Sequence, residues 1–394
     1  MSPGVISPTF PIFIATPHPL FETAQHTTSS RQRTPCRACR FLQYSATIRG
    51  ADTPAGAITM KEEWMSLRGL HFLGLLALAV SQPAPAAELT ALRVNVFPTA
   101  KNLPFFVGLP RGVFEKHGLK IELQFTQSSS KQRAGLAEGA FEIAHSAVDN
   151  AVAMVEVAGK DVVIVMGGDS GMNEFIVQPY VRSLSDIRGK TLLVDAPDTA
   201  YALLAKKLLG SHGLREGGDY TVKPVGRSGL RYQALFENED YAASVLNPPF
   251  SVQAVARGKK SMGGLVDLLG PYQANGAFVM RDWARANGPL LERYIRAYVE
   301  ALRIALDPAN KAEAVAALAE RLKLTPDIAE RTYALLVKPN FGFTPDARFD
   351  MEGFRQTLAV RSEIAGREVA PLTPEKYLDL GYYERALRAG QAPK

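Results

Sequence analysis

TLLVDAPDTAYALLAKKLL (Thr191–Leu209) is the stretch whose reading decides the fold. Thr191 to Asp195 is a short apolar run, the pattern of a buried strand. Pro197 turns the chain, and Asp198 or Thr199 stands where a helix wants its cap. From Thr199 to Leu209 the apolar residues recur at helical spacing. A strand, a tight turn and a capped helix make the opening of a βα unit, and units of this kind build parallel sheets covered by helices.

The same grammar runs outward on both sides. Upstream, strands are expected at Leu92–Phe97, Leu119–Phe125, Phe141–Ala147 and Val162–Met166. Helices are expected at Phe105–His117, closed by Gly118, at Ser129–Glu138, ended by Gly139, and at Asp149–Ala158. Phe175–Val177 reads as one further strand, and Arg182–Lys190 as a connector. Downstream, Thr221–Val225 and Ala242–Leu246 alternate with helices at Gly229–Phe236 and Pro249–Arg257, the latter with proline at its start. Ala277–Met280 is a candidate strand returning to the first sheet. From Arg281 on the chain is mainly helical: Gly288–Leu306, Lys311–Arg321, Pro326–Val337 and Met351–Ile364. The reading is α/β: a first lobe over 88–182, a second over 183–275, a return to lobe one with helices over 276–345, and a helical tail over 346–394. Ligands of open α/β sheets bind beyond the carboxyl ends of the strands, so two facing lobes place two such rims around one cleft.

The N-terminal part has another character. From Met65 the chain reads MSLRGLHFLGLLALAVSQPAPAA. Arg68 supplies a positive n-region, and Leu70–Val80 an apolar core of about eleven residues, short of a membrane span. Ala84-Pro85-Ala86 is a signal-peptidase pattern, so residues 60–86 are expected to be a cleaved signal peptide and the mature chain periplasmic. Residues 1–59 read as a mis-called start or a disordered leader, with Met60 or Met65 the better start. Both cysteines, Cys36 and Cys39, fall there. A lone CxxC is half a zinc site.

Residues 1–86 hold seven Lys/Arg and four Asp/Glu, which leaves half of the formal +6 on the mature part. That balance does not point to nucleic acid. No GxxxxGK[ST] phosphate loop is present, so the chain is not the motor of a transport machine. Nor are GxSxG or HExxH, or HxE with CxxC in the mature part. No cofactor or metal site is expected.

Candidate chemistry gathers at strand ends. In the Asp195–Tyr201 turn, the free N–H groups of a helix start, the Thr199 hydroxyl and the Tyr201 ring suit a polar ligand, and a well-capped structural helix suits the same residues. Ser128, Ser129 and Ser130 offer the same choice in lobe one. His145, Ser146 and Asp149, up to Asn150, end another strand, and Asp149 is also a plain cap candidate. His145 with Asp149 would be the acid–base pair of an enzyme. Gly167-Gly168-Asp169-Ser170-Gly171 reads as a flexible cleft-lining loop. The prolines of Asn247-Pro248-Pro249-Phe250 point Asn247 and Phe250 outward, and Arg227 and Tyr272 are further cleft candidates.

The run GVFEKHGLKIEL (Gly112–Leu123), Ser128-Ser129, GLAEGAFEIA (Gly135–Ala144), LSDIRGKTLLVDAPDTAYALLAKKLL (Leu184–Leu209), LNPPF (Leu246–Phe250) and RDWARAN (Arg281–Asn287) stand in an order that resembles one family. It is that of ABC-transporter substrate-binding proteins of the nitrate/sulfonate/taurine and pyrimidine-precursor type. The resemblance covers Leu92 to about Phe341. It implies a type II periplasmic binding protein fold and a small organic ligand between the lobes. It also implies a monomer that serves an ABC permease and ATPase. By position it carries ligand contact onto Ser128, Ser129, the His145–Asn150 turn and the Asp195–Tyr201 turn. The chain departs from the family's oxyanion binders at Asp169, Asp195 and Asp198, where donors would suit an anion better. That leaves room for a neutral or cationic ligand such as an aminopyrimidine. The rival expectation is an enzyme of pyrimidine-precursor synthesis on the same fold.

Overall fold

The computed structural model describes residues 88–364 and 373–391. The leader, the signal segment, its cleavage site and both cysteines lie outside the described residues. No helix among the described residues is long and apolar enough to cross a membrane.

Two five-stranded sheets share one topology. The first holds β1 (Thr90–Val96), β2 (Leu119–Phe125), β3 (Ile143–Ala147) and β4 (Val162–Asp169). The second holds β5 (Glu174–Val177), β6 (Thr191–Val194), β7 (Thr221–Pro224), β8 (Tyr241–Leu246) and β9 (Lys260–Gly264). β10 (Asn275–Met280) returns to the first sheet. The orders are β2-β1-β3-β10-β4 and β7-β6-β8-β5-β9. In each sheet four strands run in one direction, and one strand from the far side of a crossover runs antiparallel to them: β10 between β3 and β4, β5 between β8 and β9. The chain therefore passes between the lobes twice, after β4 and before β10. β5 pairs in the second sheet, so the second lobe begins ahead of residue 183, where the sequence pattern had put its start.

Most of the expected elements lie within a few residues of their sequence ranges, and the differences have local causes. The helix expected over Phe105–His117 is two: Leu103–Gly108 and Val113–Lys116. Pro110 has no N–H to continue the ladder, and Gly112 takes a left-handed φ of 66° to restart it. Gly108 also lets the first of these helices lie directly on Gly288–Leu306, since a Cβ there would stand 2.6 Å from Ala301 Cβ. The latter helix buries Leu291, Tyr294, Ile295, Tyr298 and Leu302 along one stripe.

The glycine stretch at 167–168 is strand, not a flexible loop. β4 continues through it to Asp169 with every residue buried. Glycine serves there because the chain end crowds in: a Cβ on Gly167 would meet the Arg348 carbonyl oxygen at 2.5 Å. β4 ends the strand order of its sheet, yet its edge is covered. Ile164 N–H donates to Tyr377 O (2.8 Å), Asp379 N–H to Ile164 O (3.0 Å) and Thr344 N–H to Gly168 O (2.9 Å). Covering an edge removes its unpaired donors and acceptors from competition.

β9 and the helix Leu265–Leu269 were not legible, because Lys-Ser-Met-Gly-Gly has no strand period. β9 is held by its pairing with β5. Helix Met351–Ile364 divides its apolar residues between the lobes: Phe354 and Leu358 join a first-lobe cluster, and Val360 joins the core of the second.

Candidate functional site

A cleft lies where the carboxyl ends of both sheets face each other. β1, β3 and β4 deliver lining residues from one lobe, β6 and β8 from the other. Cross-lobe hydrogen bonds close it. Ser129 N–H donates to Asp195 Oδ2 (3.0 Å), Arg227 N–H to Gln127 O (3.0 Å), and Arg227 Nε to Gln127 Oε1 (2.6 Å). At the rim Arg133 pairs with Asp198 at 3.3 Å. These bonds span the two lobes, so the structure is that of the closed clamp.

The structure brings Ser129, His145, Ser146, Asp195, Thr199, Tyr201 and Asn247 together around this space. Three other sequence candidates stand elsewhere. Ser128 caps its helix, its hydroxyl accepting from Lys131 N–H at 3.2 Å. Asp149 is buried against Arg361, 212 residues away, with Nη2 to Oδ2 at 2.6 Å. Asp198 is half exposed and faces Arg133. None of the three lines the cleft. Tyr272 is buried beside a smaller cavity at the crossover, Phe250 stacks near Tyr232, and Arg227 does line the cleft.

Thr199 takes the N-cap position of helix Ala200–Ser211. Its hydroxyl is engaged inside the turn, donating to Ala196 O at 2.8 Å. His145 is enclosed by Phe105, Tyr294 and Tyr298. Burial pushes its pKa down to about 3, so the ring is neutral. Burial also holds the Tyr294 phenol far above its usual range. The hydroxyl therefore keeps its proton, and it shares a hydrogen bond of 2.6 Å with His145 Nε2, the ring tautomer setting which of the two donates.

Sequence reasoning missed two buried cations that line the cleft. Lys101 is 7 % exposed, and its ammonium donates to Asp169 Oδ1 (2.9 Å), Gly171 O (2.6 Å) and Tyr201 OH (3.4 Å). Burial works against its charge, but Asp169 and Tyr201 outweigh that and hold the pKa above the ordinary lysine value. Arg231 is 2 % exposed and is held by Ser228 Oγ (3.0 Å), Ser244 Oγ (3.1 Å), Val245 O (2.9 Å) and Gly226 O. Burial lowers its pKa, with Asp195 and Tyr201 opposing. Each cation lies on a helical stretch with no motif around it, so its burial was not legible.

The unsatisfied groups are informative. Four cleft residues carry a buried side-chain oxygen without a partner: Asn150 Oδ1 and Asp169 Oδ2 from the first lobe, Asp195 Oδ1 and Asn247 Oδ1 from the second. A buried acceptor left unpaired costs about 1–3 kcal/mol. Four of them around one space ask for a molecule that brings donors to both lobes. The aromatic walls, Phe97, Phe105, Tyr298 and Phe343, suit a flat or apolar body.

The family model of the NMT1-like family matches residues 85–319. The chain belongs to the NMT1-like family. Among solved structures, the periplasmic nitrate-binding protein NrtA from Synechocystis PCC 6803 is similar at 14 % identity, TM-score 0.63, covering 78 % of this chain and 91 % of its own. The alkanesulfonate-binding protein SsuA from Xanthomonas axonopodis pv. citri, bound to MOPS, is similar at 19 % identity, TM-score 0.58, covering 78 % and 96 %. The desulfurization enzyme DSZB is similar at 14 % identity, TM-score 0.51, covering 76 % and 99 %. The fold is thus that of the periplasmic binding proteins, with a helical C-terminal tail. No curated protein matches the sequence.

Proposed function

We propose that this NMT1-like chain is the solute-binding component of an ABC importer. It captures a small donor-bearing organic molecule between its lobes and hands it to a membrane permease. The mature protein works in the periplasm as a monomer, after removal of residues 60–86. The observation that carries the reading is the set of four unpartnered acceptors, two from each lobe, around a cleft that the lobes close. A ligand that satisfies both pairs binds the closed form better than the open one, and that difference in affinity is what drives closure. The two carboxylates only accept, and the two amides accept or donate according to their rotation.

The same fold serves DSZB as an enzyme, but the acid–base pair that the rival reading needs is not assembled. His145 is neutral and tied to Tyr294, and Asp149 is neutralised by Arg361 outside the cleft. The test is a thermal-shift screen of amines, amidines and aminopyrimidines, with the reaction mixtures analysed by mass spectrometry. A ligand at a hundred times its Kd stabilises by about 2.7 kcal/mol. Saturable stabilisation with the compound recovered unchanged is expected, and accumulation of a product would refute a receptor.

A further inference from the structure

A second consequence of the cleft concerns the charge of its ligand, and it rests on the receptor reading above. Helix Ser129–Ala137 points its N-terminus at the cleft, and Ser129 N–H donates across the lobes to Asp195 Oδ2 at 3.0 Å. Arg231 lines the same space. The hydrogen-bond partners of its guanidinium are all neutral, two hydroxyls and two carbonyls. Asp195 is the carboxylate whose charge opposes the lowering of the Arg231 pKa by burial. A helix N-terminus that shares a cleft with a buried cation is an anion seat, because the free N–H groups and the positive charge act on the same space. In this protein the seat is filled from within, by a side chain of the opposite lobe.

The geometry points to Asp195 as the residue that sets the charge class of the ligand: its carboxylate is a built-in anion on the N-terminus of helix Ser129–Ala137, in the cleft that Arg231 also lines, so the cleft refuses small oxyanions and takes donor-bearing molecules. Three further observations agree. Asp195 Oδ1, Asp169 Oδ2 and the Asn247 and Asn150 amide oxygens stay buried and unpartnered around the remaining space. The Lys101 ammonium already donates to three oxygens and has no proton to spare for an incoming anion. An oxyanion entering the closed cleft would meet two carboxylates at short range with little water to screen them.

The inference has a gain-of-function test. Asp195→Ala and Asp195→Ser remove the internal anion and leave Ser129 N–H and Arg231 in place. Methanesulfonate and sulfate are titrated against the wild type and both variants by calorimetry and thermal shift, with sodium chloride matched for ionic strength. Both variants should bind methanesulfonate saturably and at least tenfold more tightly than the wild type, with a rise in Tm that the wild type lacks. Two folded variants, by circular dichroism, that take up neither anion would overturn the inference. So would a wild type that binds methanesulfonate as tightly as they do. A wild type that binds a donor-bearing compound beside variants that refuse anions removes this inference and leaves the receptor reading standing. Turnover by the wild type removes the receptor reading and does not touch the anion titration.

Discussion

Replacing Arg361 by methionine should destabilise the protein more than any cleft substitution. Arg361 and Asp149 are 4 % and 1 % exposed. The guanidinium donates through Nε and Nη2 to the two carboxylate oxygens, and Nη2 also donates to Asp198 O at 2.8 Å. It thus ties a first-lobe helix start to the second-lobe turn. Truncating it strands the Asp149 carboxylate in a dry site, where removal of one partner costs about 3–5 kcal/mol. At about 2–4 °C per kcal/mol for a chain of this size, Tm should fall by roughly 6–20 °C. Thermal and urea unfolding followed by circular dichroism would read it. The double change Arg361→Met with Asp149→Leu leaves no buried charge and should recover most of the loss. A single variant within about 1 kcal/mol of wild type, or a double variant as unstable as the two singles summed, would refute the reasoning.

Three other outcomes are expected. His145 has a folded pKa of about 3, below its unfolded value near 6.5, so the unfolded chain binds the proton first. The stability this contributes is complete above about pH 6.5 and is lost as pH falls toward 3, at up to ~1.4 kcal/mol per pH unit. His145→Gln should therefore flatten the fall of Tm between about pH 6 and pH 4, and an unchanged slope would count against a neutral buried ring. Thr199→Ala removes the hydroxyl's bond to Ala196 O in the turn and should cost about 1 kcal/mol, read as a small drop in Tm; a loss of ligand affinity at unchanged Tm would instead make the hydroxyl a ligand contact. N-terminal sequencing of the exported protein should begin at Ala87 or Glu88, and recovery of Cys36 and Cys39 in it would contradict cleavage.

The sequence by itself determined the order of most strands and helices, the return of β10 to the first sheet, and the rims that carry the cleft. Those features are written in local periodicity. Apolar runs such as Val162–Met166 must be buried, and a cap such as Ser128 acts within its own turn. His145 and Asp195 were legible because they stand at strand ends, where the fold class itself puts the ligand. Asp149 stands at a strand end too, and there the same rule named a residue that the structure uses otherwise. Its partner, Arg361, is 212 residues away on a helix that packs against both lobes. Lys101 finds Asp169 across 68 residues, and Asp195 finds Ser129 across 66. β9 became a strand only because β5 presented an edge to it. Which charge is neutralised, which oxygen is left without a donor, and which anion fills a helix N-terminus are decided when distant segments meet. A pairing energy depends on distance and burial, and neither exists until the two lobes have closed on each other.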